Sequence, residues 1–184
     1  MLKSGSDHLE SLRDGRVVYI GSEKVDDVTT HPAFRNAART VAALYDMKLA
    51  HQDAMSFEEG GERYSIYYLK PRTREDLARR SRGHRMIAEM TYGLFGRSPD
   101  HVASFVTGMD MKPDELKPPF AFASRLHDFY EEIRKADSYV VYAVVPPQAA
   151  RNPEFYVKQN KPIPTLRVVR EDDSGVVISG MKML

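Results

Sequence analysis

The feature that most constrains the fold of this chain is a change of sequence pattern at Ser138. Before that residue, apolar side chains recur at helical spacing in several long stretches. After it, residues 139–145 form a run of valine, tyrosine and alanine that Pro146 ends. Helical periodicity favours packed helices, whereas β-branched and aromatic runs favour strands. The pattern predicts an α+β fold, with a mainly helical domain over residues 1–137 and the beginning of a β domain over residues 138–184.

Local signals subdivide the helical region. A short first helix is expected to be capped by Ser6 or Asp7, and a small hairpin within residues 16–28 is expected to turn at Gly21 and Ser22. A short aromatic strand or extended segment over residues 64–69 is predicted to follow the loop at Gly60 and Gly61. Longer helices are predicted to begin at the cap Thr30, to run from a capping box at Thr73 and Asp76 through Phe95, and to cover residues 99–109 and 122–135.

The end of the chain has strand character. Residues 165–170 and 176–183 flank the turn residues 172–175 and predict a β-hairpin, whereas the proline-rich residues 151–164 predict an irregular segment. Two or three strands with one apolar face are marginal alone. We therefore expect this chain to be the N-terminal part of a larger protein, or to need a partner that covers its sheet.

The corner between two predicted helices has the strongest functional signal. Gly96 interrupts a helical run, and Ser98 to Asp100 start a new helix at once, which places Arg97 and His101 at a helix junction. Free amide donors and the positive dipole end of a helix suit an anionic group there. An ordinary helix-loop-helix corner explains the same spacing, so both interpretations stay open at this point. Tyr92 is expected to be a core residue.

Composition excludes several classes of function. Lys plus Arg number 27 against 26 Asp plus Glu, so no strong field favours nucleic acid. The arginine cluster over residues 72–85 is interleaved with acids and is predicted to be a solvated helix face. The chain has no cysteine, which excludes disulfides and thiolate metal ligands within it. No apolar run reaches the length of a membrane span, so a cytoplasmic location is expected.

Four colinear segments resemble the 4-hydroxyphenylacetate 3-hydroxylase oxygenase family. They are residues 12–19, residues 27–37 with their Val-Thr-Thr-His-Pro-Ala-Phe run, residues 93–100 with their Gly-Arg-Ser-Pro-Asp motif, and residues 174–182. The resemblance implies an acyl-CoA dehydrogenase-like fold, of which a helical N-terminal domain and the start of a β middle domain are present. It also implies a C-terminal helical bundle that builds a homo-tetramer in the full-length protein.

The resemblance further implies a two-component flavin monooxygenase. A separate flavin reductase would supply reduced FAD, which would react with dioxygen and hydroxylate a phenol ortho to its hydroxyl. Such a site must exclude water and stabilise negative charge on the phenol oxygen. The resemblance implies no metal, and it implies that the present 184 residues are inactive alone, since much of the flavin site would lie beyond Leu184.

Five residues are candidates for the site by position in the family's motifs. The family lines its phenol pocket with the motif arginine, a tyrosine just after the motif and a histidine on the next strand. The corresponding residues here are Arg97, His101 and Tyr142, so the last two residue types are exchanged. Gln148 and Arg151 follow a proline turn where family members approach the flavin, and they are candidate cofactor contacts. Tyr139 is expected to be core.

Two alternatives to the hydroxylase are compatible with parts of the sequence. The related 4-hydroxybutanoyl-CoA dehydratase holds an iron–sulfur cluster partly through cysteines, which this chain lacks. The second alternative is a non-catalytic helical interaction module or a truncated remnant of the family.

Overall fold

The computed structural model describes residues 2–95, 98–116 and 122–183, and these divide into two compact units. The first unit covers Met1–Val140 and the second Val141–Leu184. No helix in the described part of the chain is long and apolar enough to cross a bilayer.

The first unit begins with a helix that packs closely on a longer one. Helix α1 (Gly5–Ser11) is capped by Ser4, whose side chain and Asp7 form a capping box. The expected cap at Ser6 or Asp7 was therefore wrong, because Asp7 is the third helical residue and bonds back to Ser4. Gly5 lies so close to α2 (Arg35–Ala50) that an added Cβ would approach Ala42 O to 2.6 Å. Its amide donates to Asp46 Oδ1 at 2.7 Å.

The predicted hairpin is confirmed between these helices. Strands β1 (Val18–Ile20) and β2 (Glu23–Val25) are antiparallel and turn at Gly21 and Ser22. The predicted helix start at Thr30 was wrong, because α2 begins at Arg35. His31 instead closes a turn, in which its carbonyl accepts from Phe34 and Arg35 at 3.0 and 2.8 Å.

A second hairpin and three helices complete the first unit. After the short α3 (Gln52–Met55), strands β3 (Ser56–Glu59) and β4 (Glu62–Ser65) pair, and a 3-10 turn follows over Ile66–Tyr68. The aromatic strand was therefore shorter than expected. The capping box at Thr73 and Asp76 is confirmed. The helices are α4 (Arg74–Met90), α5 (Asp100–Met111) and α6 (Phe122–Lys135), with a 3-10 turn over Pro113–Leu116.

These elements enclose one hydrophobic core. Its most deeply buried members come from every layer of the unit: Leu44, Met55, Ile66, Tyr68, Ile87 and Tyr130. The hydroxyl of Tyr130 donates to Tyr68 O at 2.6 Å, and that of Tyr68 donates to Ser138 O at 2.8 Å. The core thus ties α6 to the turn after β4 through aromatic side chains whose polar ends are satisfied.

The second unit contains a hairpin and two short helical pieces. A 3-10 turn over Gln148–Arg151 and α7 (Pro153–Lys158), which Asn152 caps, occupy part of the segment that was expected to be irregular. Strands β5 (Arg167–Asp172) and β6 (Gly175–Ser179) form the predicted hairpin. Residues 139–144 form no strand, contrary to expectation, because a ladder needs a partner and only Val145 bridges to Met183 among the described residues.

Candidate functional site

The helix before the candidate corner ends earlier than the sequence predicted. α4 stops at Met90, and Tyr92 and Gly93 both adopt left-handed backbone, with φ of 53° and 71°. The Gly93 amide donates to Ala88 O at 2.8 Å, which closes the helix in the manner of a left-handed cap. The expectation of a helix through Phe95 was therefore wrong. Tyr92 is 90% exposed, so its predicted core role was also wrong.

Polar side chains join α4 to the helix that follows. Arg80 and His84 lie one turn apart on α4, and Asp100 and Ser104 lie one turn apart on α5. Arg80 donates to Ser104 Oγ at 2.5 Å, and His84 Nε2 lies 3.2 Å from Asp100 Oδ2. The two pairs face each other and align the start of α5 with the last turns of α4.

Arg80 corrects the interpretation of the arginine cluster. It is 7% exposed and also donates to Leu69 O at 2.7 Å, so it is a buried structural donor and not part of a solvated face. Arg82 and Arg85 do follow the prediction, since they pair with Glu75 and Glu89 at the surface. Burial lowers the pKa of His84, and the neighbouring Asp100 carboxylate opposes that shift.

Two aromatic rings border the corner. Phe95 and Tyr139 meet edge to face with ring centroids 6.4 Å apart. Burial, assisted by the negative charge of Asp100, raises the pKa of Tyr139 to about 12. Tyr139 therefore keeps its hydroxyl proton at neutral pH. The Ser98 hydroxyl donates to Asp100, which fixes the backbone just before α5.

Two candidate residues belong to this corner. His101 is half-buried in the first turn of α5, where its ring meets Phe105 at a centroid distance of 5.0 Å. Gly96 and Arg97 lie outside the described residues, so the role of Arg97 stays a prediction.

The other three candidates belong to the second unit. Tyr142 is half-buried in the segment before the proline turn. Gln148 and Arg151 are both exposed and sit at the two ends of the 3-10 turn Gln148–Arg151. Residues three apart eclipse each other on such a turn, so both side chains project on the same side. Their amide and guanidinium groups together offer donors to an anionic or carbonyl-rich ligand.

Sequence reasoning missed three residues that shape the corner. In the sequence, Asp100 has only the signature of a helix start, His84 belongs to no motif, and Arg80 belongs to the arginine cluster that was predicted to be solvated. The available signal was the four-residue spacing of Arg80 and His84 on one helix and of Asp100 and Ser104 on the next. That spacing indicates shared faces, but nothing local shows that the two faces meet.

Comparisons with known proteins identify the family. A family model described as 4-hydroxyphenylacetate 3-hydroxylase N terminal matches residues 4–184. The 4-hydroxyphenylacetate 3-monooxygenase oxygenase component of Thermus thermophilus is 34% identical over 189 residues, which cover 100% of this chain and 38% of that protein.

Solved structures agree with this match. The crystal structure of the oxygenase component of 4-hydroxyphenylacetate 3-monooxygenase superposes with a TM-score of 0.85 at 32% identity, covering 98% of this chain and 37% of that one. The structure of the same component complexed with FAD and 4-hydroxyphenylacetate superposes with a TM-score of 0.82 at 31% identity. The match covers 97% of this chain and 37% of that one.

The chain spans 37–38% of the length of these relatives, and within that part the fold is the same. The expected α+β, acyl-CoA dehydrogenase-like architecture is thereby confirmed, as is the resemblance that the four segments indicated. This chain belongs to the 4-hydroxyphenylacetate 3-hydroxylase family and represents its N-terminal region.

Proposed function

We propose that this chain is the N-terminal part of the oxygenase component of a two-component, FAD-dependent monooxygenase that hydroxylates a phenol ortho to its hydroxyl. The observation that supports this most strongly is the match of the family model over residues 4–184. The substrate class follows from relatives whose names specify phenols, including a 4-nitrophenol 2-monooxygenase of Rhodococcus that is 35% identical.

The residues of the second unit fit a flavin chemically. Gln148 and Arg151 share one side of an exposed turn, and Arg151 forms no ion pair with any described residue. An amide and an unpaired guanidinium suit the carbonyl-rich ring and the diphosphate of FAD. When bound in its reduced form, FAD supplies the electrons that activate dioxygen.

Three side chains would act on the phenol. Arg97 is always charged and would hold the phenol oxygen as it becomes negative, which makes the ring more electron-rich. His101 and Tyr142 would orient that oxygen by hydrogen bonds. His101 is half-buried at a helix start, and Tyr142 is half-buried before the proline turn. Each side chain is therefore partly shielded from water but still accessible to a ligand.

Contacts between α4 and α5 hold the backbone around His101 in place. The contacts of Arg80 with Ser104 and of His84 with Asp100 hold the start of α5, and therefore the backbone of His101, against α4. A positioned group loses little freedom when it binds substrate, which favours reaction. Asp100 thus acts through the position of His101.

The complete enzyme would need partners. A flavin reductase would deliver reduced FAD, and a homo-tetramer is the assembly that the family resemblance implies. The enzyme would act in the cytoplasm. For the 184 residues alone, we expect neither phenol hydroxylation nor tight binding of FAD.

A chimera tests the proposal. Residues 1–184 would replace the matching region of the Thermus thermophilus oxygenase component, and a reductase, NADH and a phenol would be added. We expect hydroxylated product. Arg97→Ala should lower the hydroxylation rate by on the order of 100-fold, the usual effect of removing a donor to a developing oxyanion.

The matched control is Arg85→Ala, which removes an exposed arginine whose ion-pair partner among the described residues is Glu89 on its own helix. Equal product yields from Arg97→Ala and Arg85→Ala would refute the role of Arg97. A folded chimera that binds FAD but yields no product would refute the proposed function and favour a non-catalytic module.

A further inference from the structure

The side chain of His84 extends from the protein surface to the start of α5. It is 37% exposed as a whole, yet its Nε2 atom is buried. That atom lies 3.2 Å from Asp100 Oδ2, a distance that suits an ion pair, but the two groups are not aligned for a hydrogen bond. Nε2 has no hydrogen-bond partner in the described part of the chain. Buried polar atoms nearly always have one, and the exceptions include catalytic groups and groups that store strain.

Asp100 is the nearest group that could bond to this nitrogen. It is the first residue of α5, its side chain is 13% exposed, and it accepts a hydrogen bond from the Ser98 hydroxyl. The next residue is His101, which the proposed function assigns to the phenol. A change in the contact between His84 and Asp100 therefore acts on the helical turn that carries His101.

The charged and titratable groups around this contact respond differently to pH. Arg80 acts on the His84 ring from one turn away on α4, and Tyr67 and Tyr139 both experience the negative charge of Asp100. Burial raises the pKa of both tyrosines, so they stay protonated near neutral pH, and the arginine stays charged. Burial lowers the pKa of His84 below 6.5, although the Asp100 carboxylate opposes that shift. Mild acid therefore adds a charge to His84 but not to Arg80 or the two tyrosines.

We propose that His84 is a positioning residue whose charge regulates the proposed phenol site. A small rotation of its ring would align Nε2–H with Asp100, and a charged ring favours that rotation because the ion pair adds Coulomb attraction to the hydrogen bond. The first turn of α5, and with it the backbone of His101, is then held more firmly against α4. This inference rests on the proposed function and adds a regulation to it, since mild acid favours hydroxylation.

The test uses the chimera with the Thermus thermophilus oxygenase component and compares it with its His84→Gln variant at pH 7.5 and 5.5. The glutamine amide keeps a donor near the position of Nε2 but cannot gain a charge. The hydroxylation rate of the unmodified chimera, divided by that of His84→Gln, should rise about 3-fold on acidification, within the range for a partly exposed ion pair. Both proteins contain His101, so the titration of that residue cancels in the ratio. A ratio that does not change with pH would overturn the proposal.

Other variants distinguish positioning from a general effect on the fold. His84→Leu removes the donor and should lower the hydroxylation rate at both pH values, whereas His84→Gln should recover part of that loss at pH 7.5. Affinity for FAD should be unchanged in both variants, and a loss of FAD affinity as large as the loss of rate would overturn the positioning role. His51→Gln, which removes an exposed histidine at the end of α2, should show a rate ratio that is independent of pH.

Hydrogen exchange tests the contact independently of catalysis. Exchange of the backbone amides in peptides that span residues 98–106 of the chimera reports how firmly the start of α5 is held. At pH 5.5 these amides should exchange more slowly in the unmodified chimera than in His84→Gln, and at pH 7.5 the two should be equal. Equal exchange at both pH values would overturn the proposal. The expected exchange in a chimera that forms no hydroxylated product would support the effect of His84 on α5 and refute the proposed function.

Discussion

Lys48 Nζ lies 2.5 Å from Asp137 Oδ2, and the two side chains are only 1% and 2% exposed. Asp137 has left-handed backbone, with φ of 46°, at the end of α6. Its carboxylate also accepts from the Lys3 amide at 2.9 Å and from the Ser65 hydroxyl at 2.5 Å, while its carbonyl accepts from the Tyr45 hydroxyl at 2.9 Å. One buried carboxylate therefore joins the N-terminus, α2, β4 and the end of α6.

Lys48→Met should destabilise the first unit by about 3 kcal/mol in urea unfolding followed by circular dichroism. Removing one partner of a buried pair leaves an uncompensated charge, which costs about 3–5 kcal/mol. The low end is expected because Asp137 keeps its bonds to Lys3 and Ser65.

The control is Lys24→Met at an exposed hairpin position, which should change stability by less than about 0.5 kcal/mol. Adding Asp137→Asn to Lys48→Met should restore part of the loss, because asparagine is neutral and tolerates left-handed backbone. A stability of Lys48→Met equal to that of Lys24→Met would contradict the importance of the pair.

Two helical glycines should respond oppositely to alanine. At Gly83 in α4, an added Cβ would approach Ile66 Cγ2 to 2.8 Å, so Gly83→Ala should destabilise by about 1–3 kcal/mol. At Gly108 in α5, an added Cβ would meet no heavy atom of a described residue within 4 Å beyond its chain neighbours and the backbone of its own helix, so Gly108→Ala should stabilise by about 0.5–1 kcal/mol. Thermal unfolding measures both. Stabilisation by Gly83→Ala would contradict the close packing of α4 on the turn after β4, and destabilisation by Gly108→Ala would contradict the open space beside Gly108.

Acidification should destabilise the protein partly through His8. Burial and neighbouring cations lower its pKa in the folded state below the unfolded value of 6.5. As pH falls below that value, the unfolded chain gains a proton that folded His8 does not, so stability falls, by at most about 1.4 kcal/mol per pH unit for this one group.

The measurement is the unfolding free energy of wild type and His8→Phe at pH 7.5 and 5.5. The decrease between the two pH values should be smaller in His8→Phe. Leu12 and His8 line one groove on the first unit. Leu12→Ala changes this groove but removes no titrating group, so it should keep the wild-type decrease in stability. An unchanged decrease in His8→Phe would assign the pH dependence to other residues.

Local signals explain what the sequence could predict. The capping box of Thr73 and Asp76 closes within four residues, and α6 was expected over the same residues that form it. The turn at Gly21 and Ser22 needs only the two strands beside it. Each of these features depends on side chains near in sequence, so pattern and capping chemistry suffice to find it.

Other features depend on contacts distant in sequence. Helix α4 ends where Tyr92 adopts a left-handed conformation that is uncommon for a tyrosine, and the periodicity of Leu94 and Phe95 favoured a later end. The bonds of Asp137 span 72 to 134 residues and have no local pattern. Arg80 differs from its neighbouring arginines in its contacts with Leu69 and Ser104, which lie 11 and 24 residues away in the sequence.

The exchange of residue types at the candidate site can be tested in the chimera. If His101 and Tyr142 both contact the phenol oxygen, His101→Tyr and Tyr142→His should each lower the coupling of reduced flavin to product. The double variant restores one imidazole and one phenol, so its coupling should exceed the product of the two single effects. Interacting residues of this kind show coupling energies of about 0.5–3 kcal/mol in double-mutant cycles.

Far-UV circular dichroism and FAD titration of each variant separate this effect from misfolding. The matched control pairs Tyr142→His with Tyr92→His, because Tyr92 is 90% exposed and has no role in the proposed pocket. That pair should be additive within about 0.5 kcal/mol. Additivity of the His101 and Tyr142 changes as well would mean that the two side chains do not share a ligand, and the phenol pocket would then have to be assigned to one of them alone.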